Sequence, residues 1–418
     1  MQTKERVVIT GLGAVTPLGT GMEKFWDNLI SGKSGITNIT KFDASGLPVQ
    51  IAGEVTDFNP VGYMEKKQAR EMEVFMQYGF AAADEAMKDA GLFMDGLGNY
   101  PVPKSRIGIV FGTVFGGIGA TEEAAERLKD GSRVNPRVIT KIIGNVGAAQ
   151  IAIAKHLAGP SLTVSTACSS GLDAITVGNM LIESNMADIV ICVGAEAATC
   201  PVTIEGLSAI HALSHRNDEP ETASRPFDLD RDGFVMSEGS GAVIIEKLSV
   251  AKARGAKVHA ELAGCSNGTD GFHVTSPHPD GIGAIATMEG ALQAAGLEVK
   301  DIDYINAHGT STPKGDVIEV KAIKTLFGEY AGKVAVSSTK ASMGHLMGAG
   351  GVVETIACVK AVEEDIIPPT INQFTADPEC DIDTVPNEAR RTTVNVAMCN
   401  AFGFGGQNAS VIVKKFAE

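Results

Sequence analysis

Short runs of β-branched and other apolar residues recur along this chain, and most are followed by a stretch with helical apolar spacing. The runs are Arg6–Thr10, Ile107–Phe111, Leu162–Ser165, Ile189–Val193, Ile302–Asn306 and Val334–Ser337. Little polar alternation interrupts them. That pattern fits strands buried beneath helices on both faces rather than a sheet with one wet face. The expected class is α/β.

The pattern also repeats. GSGAVIIEK (Gly239–Lys247) closes a first stretch and GGQNASVIVKK (Gly405–Lys415) closes a second. Upstream of each lies a similar strand and turn, LTVSTACSSG (Leu162–Gly171) and VAVSSTKASMG (Val334–Gly344). Self-similarity of this kind predicts two related halves, residues 1–254 and 255–418. The segment from Thr113 to Ala149 breaks the alternation and reads as an inserted cap at an interface.

Composition narrows the function. The 418 residues are 44% hydrophobic and 20% charged, ordinary values for a globular enzyme. The 48 glycines suit many tight strand-to-helix turns. A net charge of -15 disfavours nucleic acid and anionic membranes as partners. The seven cysteines include no CxxC pair, so neither a disulfide framework nor a zinc site is expected. No apolar run reaches the length of a membrane span and no leader pattern opens the chain, so a cytoplasmic protein is expected.

The segment that points most directly to chemistry is Leu162–Gly171. A strand read as buried runs into Cys168, and LDAITVGNMLIE follows with helical spacing. Cys168 therefore falls at a helix N-terminus, where free amides favour thiolate and can hold an oxyanion. A small buried thiol is the commoner role for such a residue. His308 and His345, each just past a strand C-terminus, shift the balance, because open α/β folds place their sites there. Lys340 shares the loop of His345. Near the C-terminus, Asn400-Ala401-Phe402-Gly403-Phe404-Gly405-Gly406 interleaves phenylalanine with glycine and suits a movable apolar gate. Gly11-Leu12-Gly13 lacks the third glycine of a dinucleotide fingerprint, and His211 and His215 lack the glutamate of a zinc protease motif.

TACSSG around Cys168, AHGTSTP around His308, SSTK with GHL and GAGG around Lys340 and His345, and NAFGFGG together resemble the β-ketoacyl-acyl-carrier-protein synthases. The match extends over the whole chain and is strongest to the elongating synthase II group. The resemblance implies a thiolase fold, two similar halves in five αβαβα layers, and a homodimer. It implies acyl transfer from an acyl carrier protein to Cys168, then decarboxylative Claisen condensation with malonyl carrier protein. The family pattern assigns the oxyanion amides to Cys168 and Phe402, with Phe404 in the gate. It gives neutral His308 and His345 to the malonyl carbonyl, and Lys340, paired with Glu354, to orienting them. Thr310 and Thr312 match positions near the pantetheine arm. No metal or cofactor is implied on this chain; the 4′-phosphopantetheine belongs to the carrier.

Phe115 stands where the family lines its acyl pocket, commonly with a smaller aliphatic residue, and is expected to shorten the tunnel. Lys66, Lys67 and Arg70, with Arg133 and Arg137 in the cap, are candidates for docking the acidic carrier; His211 replaces a basic family position. Met343 before Gly344-His345, Gln407 after the gate, and the CSSG string depart from the usual synthase II pattern. They point to a second reading, a ketosynthase of a type II polyketide or polyene pathway, paired with a chain-length-factor subunit. A thiolase would place a second reactive cysteine near the C-terminal loop. Cys399 is there, but without the Cys-Gly-Gly turn. A non-catalytic chain-length factor would be expected to lack Cys168.

Overall fold

The computed structural model describes residues 5–92 and 99–417. Ten of the eleven strands of its main sheet set the order: β1 Val7–Thr16, β2 Ile107–Gly112, β3 Ser161–Val164, β4 Ile189–Glu196 and β5 Gly239–Lys247, then β6 Ala260–Thr269, β7 Tyr304–Asn306, β8 Ala335–Ser337, β9 Val396–Gly403 and β10 Gln407–Lys414, while the two-residue strand Gly19–Thr20 pairs with β1 alone among the described residues. The first five are ordered β3-β2-β4-β5-β1 and the last five β8-β7-β9-β10-β6, the same order twice. Directions repeat as well. In each set the three outer strands run parallel and the two inner contacts are antiparallel. The sets join where β1 pairs β6, Val7 opposite Leu262 and Ile9 opposite Ala260.

Six helices position the site: α1 Val74–Asp89, α2 Asn145–Lys155, α3 Ser170–Glu183, α4 Ile282–Ala295, α5 Gly315–Phe327 and α6 Gly350–Glu364. α1 covers β1, β4 and β5 on one outer face, and α4 covers β6 and β10 on the other. α3 and α6 lie between the two sets, packed on each other, on β4 and on β9. The result is a layered αβαβα stack, and the thiolase fold.

The middle layer closes where glycine permits it. A Cβ on Gly171 would stand 2.8 Å from the Val352 nitrogen, and one on Gly351 would stand 2.6 Å from the Leu172 nitrogen. The N-termini of α3 and α6 therefore meet backbone to backbone. This brings the turns that precede them together. All but one of the residues of α6 from Gly350 to Val362 are buried, so its apolar surface is covered from both sides.

One strand differs from expectation. β3 is not buried: Ser161 and Leu162 are exposed, and Leu162 keeps 44% of its surface. The strand is outermost in its set, with β2 as its sole ladder partner among the described residues, so apolar character there reflects an open edge rather than a core position. The segment 113–149 forms a helix Ile118–Lys129, a short helix Val138–Ile142 and the start of α2, between β2 and β3.

Candidate active site

Cys168 sits in the turn from β3 to α3, two residues before the helix begins. Ala167 takes φ 51, a left-handed conformation unusual for alanine, and this turns the thiol out of the chain direction. Buried Asp173 braces the elbow, accepting from Thr166 Oγ1 at 2.5 Å and Ser169 Oγ at 3.0 Å.

His308 follows β7. Its amide and that of Gly309 donate to the Glu319 carboxylate at 2.8 and 2.7 Å. His345 follows β8 and the short helix Lys340–Met343, and its backbone bridges Val235 and Ser237 from the first half. The Sγ of Cys168 and a ring nitrogen of each histidine lie within 4.8 Å of one another, all three residues being buried. The imidazoles meet edge to face with centroids 5.5 Å apart. Convergence expected from separate strand ends is thus a geometric fact.

The electrostatics follow from burial and one cation. Lys340 is 1% exposed and Glu354 equally so, and they pair beneath the histidines. Burial, then the Lys340 charge and the neighbouring His345, hold His308 well below the ordinary histidine range. Burial and Lys340 do the same to His345. Both rings are neutral. The Met347 amide donates to His345 Nδ1 at 3.3 Å, so the proton of the neutral ring sits on Nε2, which is buried and has no partner among the described residues. His308 Nδ1 is likewise buried without a partner.

By atom type the same trio could ligate a soft metal. A metal on His345 Nε2 would need its proton moved to Nδ1, against the Met347 amide. The donor set fits hydrogen-bond donation better.

Two expectations need correction. Burial pushes the Cys168 thiol up to about 11, outweighing the Phe404 and Cys168 amides and Lys340, which pull it down. Burial therefore favours the thiol over the thiolate that the helix N-terminus suggested. The second amide at the sulfur belongs to Phe404, not Phe402. Phe402 lies inside the β9–β10 ladder opposite Asn408, and its ring faces His308 with centroids 6.0 Å apart. Phe404 opens the tight turn Phe404–Gly406, where Gly405 has φ 81 and Gly406 has φ 69. A Cβ on Gly403 would stand 2.8 Å from the Cys168 nitrogen, so this segment can approach the elbow only as glycine.

A cavity of about 430 Å³ opens onto Cys168, His308, His345 and Phe404, and Thr310 and Thr312 line its wall with their hydroxyls 3.1 Å apart. Ile210 and His211 also line it. Phe115 is half-buried in the apolar cluster with Cys168, Met347 and Phe404, on ground outside the lining of that cavity. Lys66, Lys67 and Arg70 lie exposed on the short helix Lys66–Glu71, and Arg133 is exposed in the cap. Arg70 and Arg137 line one groove away from the cavity, and Arg137 is 3.6 Å from Glu71.

Sequence reasoning missed Glu319 and Glu196. Glu319 shares the buried face of α5 with Asp316, Val320 and Ile323, so an acidic pair at i, i+3 among apolar residues was the available signal. Glu196 closes the otherwise uncharged run IVICVGAE. Burial raises each to about 7.

Residues 4–251 match the family model for the N-terminal domain of beta-ketoacyl synthase, and residues 259–374 match that for its C-terminal domain. The chain is 44% identical over 415 residues to 3-oxoacyl-[acyl-carrier-protein] synthase 2 of Synechocystis sp., covering 99% of each chain. It is 43% identical to the Vibrio harveyi and Staphylococcus aureus proteins of that name, covering 100% of each. Among solved structures, the ishigamide ketosynthase/chain length factor superposes with a TM-score of 0.92 at 35% identity, covering 99% of this chain and 100% of that one. A beta-ketoacyl synthase from Burkholderia phymatum gives 0.91 at 32% with the same coverage. A type II polyketide acyl-carrier protein in complex with its ketosynthase gives 0.90 at 30%, again over 99% and 100%.

Proposed function

The chain belongs to the beta-ketoacyl synthase family, and from that membership we propose how its residues divide the reaction. The protein is an acyltransferase that condenses a malonyl unit with an acyl chain on acyl carrier protein in fatty-acid elongation. A polyketide assignment is not favoured. The full-length relatives at 43–44% identity are named 3-oxoacyl-[acyl-carrier-protein] synthase 2, while the ketosynthase/chain length factor and the type II polyketide ketosynthase structures stand at 35% and 30%.

Cys168 attacks the acyl thioester, and the carrier thiol leaves with the cysteine proton. Because burial keeps the resting sulfur protonated, that proton needs an acceptor, and a neutral histidine within 4.8 Å supplies one. The amides of Cys168 and Phe404 receive the oxyanion. Malonyl carrier protein then loses CO₂, and negative charge gathers on its thioester oxygen. His345 Nε2–H and a His308 N–H donate to that oxygen, a role for which neutral imidazoles with no protein partner are suited. The resulting carbanion attacks the acyl carbon and expels the Cys168 thiolate. Burial and the Lys340 charge keep the histidines neutral, and Glu354 pairs with Lys340. Thr310 and Thr312 are assigned to the 4′-phosphopantetheine arm of the carrier, and no cofactor to this chain.

The single observation that carries this reading is the convergence of one thiol and two neutral imidazoles over a buried Lys340–Glu354 pair. Incubation with acyl and malonyl carrier proteins, followed by intact mass, tests it. Acyl mass on Cys168 followed by a 3-ketoacyl carrier product is expected. Acyl mass that never turns over sinks it.

The quaternary and cellular assignments are further proposals. The open edge of β3, with exposed Leu162, Ile139, Ile143 and Ile153 around it, suits a second copy in a homodimer; a monomer by sedimentation would refute this. Residues 1–254 and 255–418 are taken as the duplicated units, with 113–149 inserted in the first. Lys66, Lys67, Arg70 and Arg133 are proposed to dock the carrier; charge reversal at Lys67 and Arg70 without effect on turnover would remove them. Among the described residues no helix is long and apolar enough to cross a membrane, which agrees with a cytoplasmic location.

A further inference from the structure

Glu196 is 0% exposed at the end of β4, and four donors converge on its carboxylate. Oε2 accepts from the amides of Val114 at 2.7 Å and Gly348 at 3.3 Å. Oε1 accepts from the Phe115 amide and the Thr113 hydroxyl, each at 3.2 Å. Thr113–Phe115 is the turn after β2 in the first half. Gly348 lies in the turn that follows His345 in the second. The two turns touch: a Cβ on Gly348 would stand 2.8 Å from the Thr113 Cα and 2.9 Å from Glu196 Oε2.

What hangs from this clamp is specific. Gly348 is preceded by Met347, held at φ 49, whose amide donates to His345 Nδ1. That bond leaves the His345 proton on Nε2, aimed at the reaction centre. On the other arm the clamp holds the amide of Phe115 itself.

We propose that Glu196 is a positioning residue for condensation: its carboxylate ties the Phe115 turn to the Met347–Gly348 turn, and through them fixes the tautomer of His345 and the placement of Phe115. This rests on the ketosynthase reading above. One carboxyl thereby couples the Phe115 turn of one half to the enolate-binding histidine of the other.

The ionised form is the better acceptor for four donors. Burial raises the carboxyl to about 7 against the three amides and Thr113, so protonation at lower pH weakens the clamp. Its partners from both turns are amides and a hydroxyl; among the described residues it has no ion-pair partner, and the titratable group on the turn it holds is neutral His345. Condensation should therefore fall as pH drops below about 7.

The test uses the full-length enzyme and separates the half-reactions: acylation of Cys168 from acyl carrier protein, and CO₂ release with product formation from malonyl carrier protein. Glu196→Gln should lower condensation about 10- to 100-fold, the scale of losing a hydrogen bond to a charged group, while acylation changes far less. Its condensation profile should lose the inflection near neutral pH. Thr113→Val keeps the carboxylate but removes one donor, so the inflection should move to higher pH, and this arm holds even where Glu196→Gln folds poorly. Parent-like condensation and pH profiles in both variants overturn the proposal, as does an equal loss in both half-reactions, which marks a merely structural role. A parent enzyme that fails to acylate Cys168 would instead overturn the ketosynthase reading.

Discussion

The same crossover is built twice in this molecule, once from β3 into α3 and once from β8 into α6, and the two copies do different work. In the first half the turn is tight: a left-handed Ala167, then Cys168, then the helix. In the second, a helical turn Lys340–Met343 and a further turn Met347–Ala349 separate strand from helix. The added residues make room for a buried cation and an imidazole. The shared topology sets where the two turns meet, and the local backbone decides which chemistry each presents. On the proposed division of the reaction, one half holds the covalent tether and the other receives negative charge.

Removing the tether gives the largest effect. Cys168→Ala should abolish both acylation and condensation, read by intact mass. His345→Ala should keep acylation and lose condensation by about 10²–10³-fold, the usual cost of one oxyanion donor. Equal loss of both half-reactions in His345→Ala would mean that the halves do not divide the work.

The Lys340–Glu354 pair exists in the second crossover alone. Both side chains are buried, so removing one partner strands a charge, at a cost of about 3–5 kcal/mol. Lys340→Met should lower thermal stability and condensation together. The double variant Lys340→Met, Glu354→Leu should recover much of the stability, because an apolar pair of similar volume fills the site, but not the activity. Recovery of both would reduce the pair to packing.

Phe115 tests the first half on its own side of the clamp. Phe115→Ala removes a ring from the cluster that holds Cys168, Met347 and Phe404. The acyl-length optimum should shift toward longer chains at little cost with short ones. An unchanged length profile would separate Phe115 from the acyl site.

Much of this was legible from the chain. Strand positions followed from uninterrupted apolar runs, and the duplication from two glycine-rich strand ends, Gly239–Lys247 and Gly405–Lys415. Cys168, His308, His345 and Lys340 could be singled out by their places at strand ends. Four things were not legible, for physical reasons. An apolar strand such as β3 reads the same whether it is covered by its own chain or left as an edge. A thiol at a helix N-terminus feels both amides and burial, and sequence gives no measure of the second, so Cys168 was assigned the wrong direction. Amide direction depends on φ and ψ, which is why Phe402 was named in place of Phe404. Glu196 and Glu319 act through backbone hydrogen bonds to distant turns, a relation no local spacing encodes.

The smallest expected effect contrasts two kinds of buried histidine along the seam between the halves. His345 and His308 lie beside a cation and stay neutral. His259 is buried too, but sits between Asp89 of α1, at 2.7 Å from Nε2, and Glu363 of α6, at 3.2 Å from Nδ1. Lys257 and Lys360 pair with Glu363, and the Leu12 amide donates to Asp89. Burial opposes the His259 charge, but the bonds and charges of Asp89 and Glu363 outweigh it and raise its pKa above 6.5. The native state thus holds a proton that the unfolded chain releases first. The stabilisation is complete below about 6.5, the unfolded value, and is lost as pH rises through the raised one. For His345 the sign reverses: the unfolded chain gains the proton, so stability is lost as pH falls below about 6.5. His259→Phe should therefore cost about 1–3 kcal/mol on the acid side and progressively less toward pH 9, whereas His345→Gln should narrow its stability gap to the parent as pH falls from 7 to 5. Melting temperatures across that range decide the matter. A His259→Phe penalty that does not vary with pH would mean the imidazole is neutral there, and that packing, not charge, joins α1 to α6 at this point.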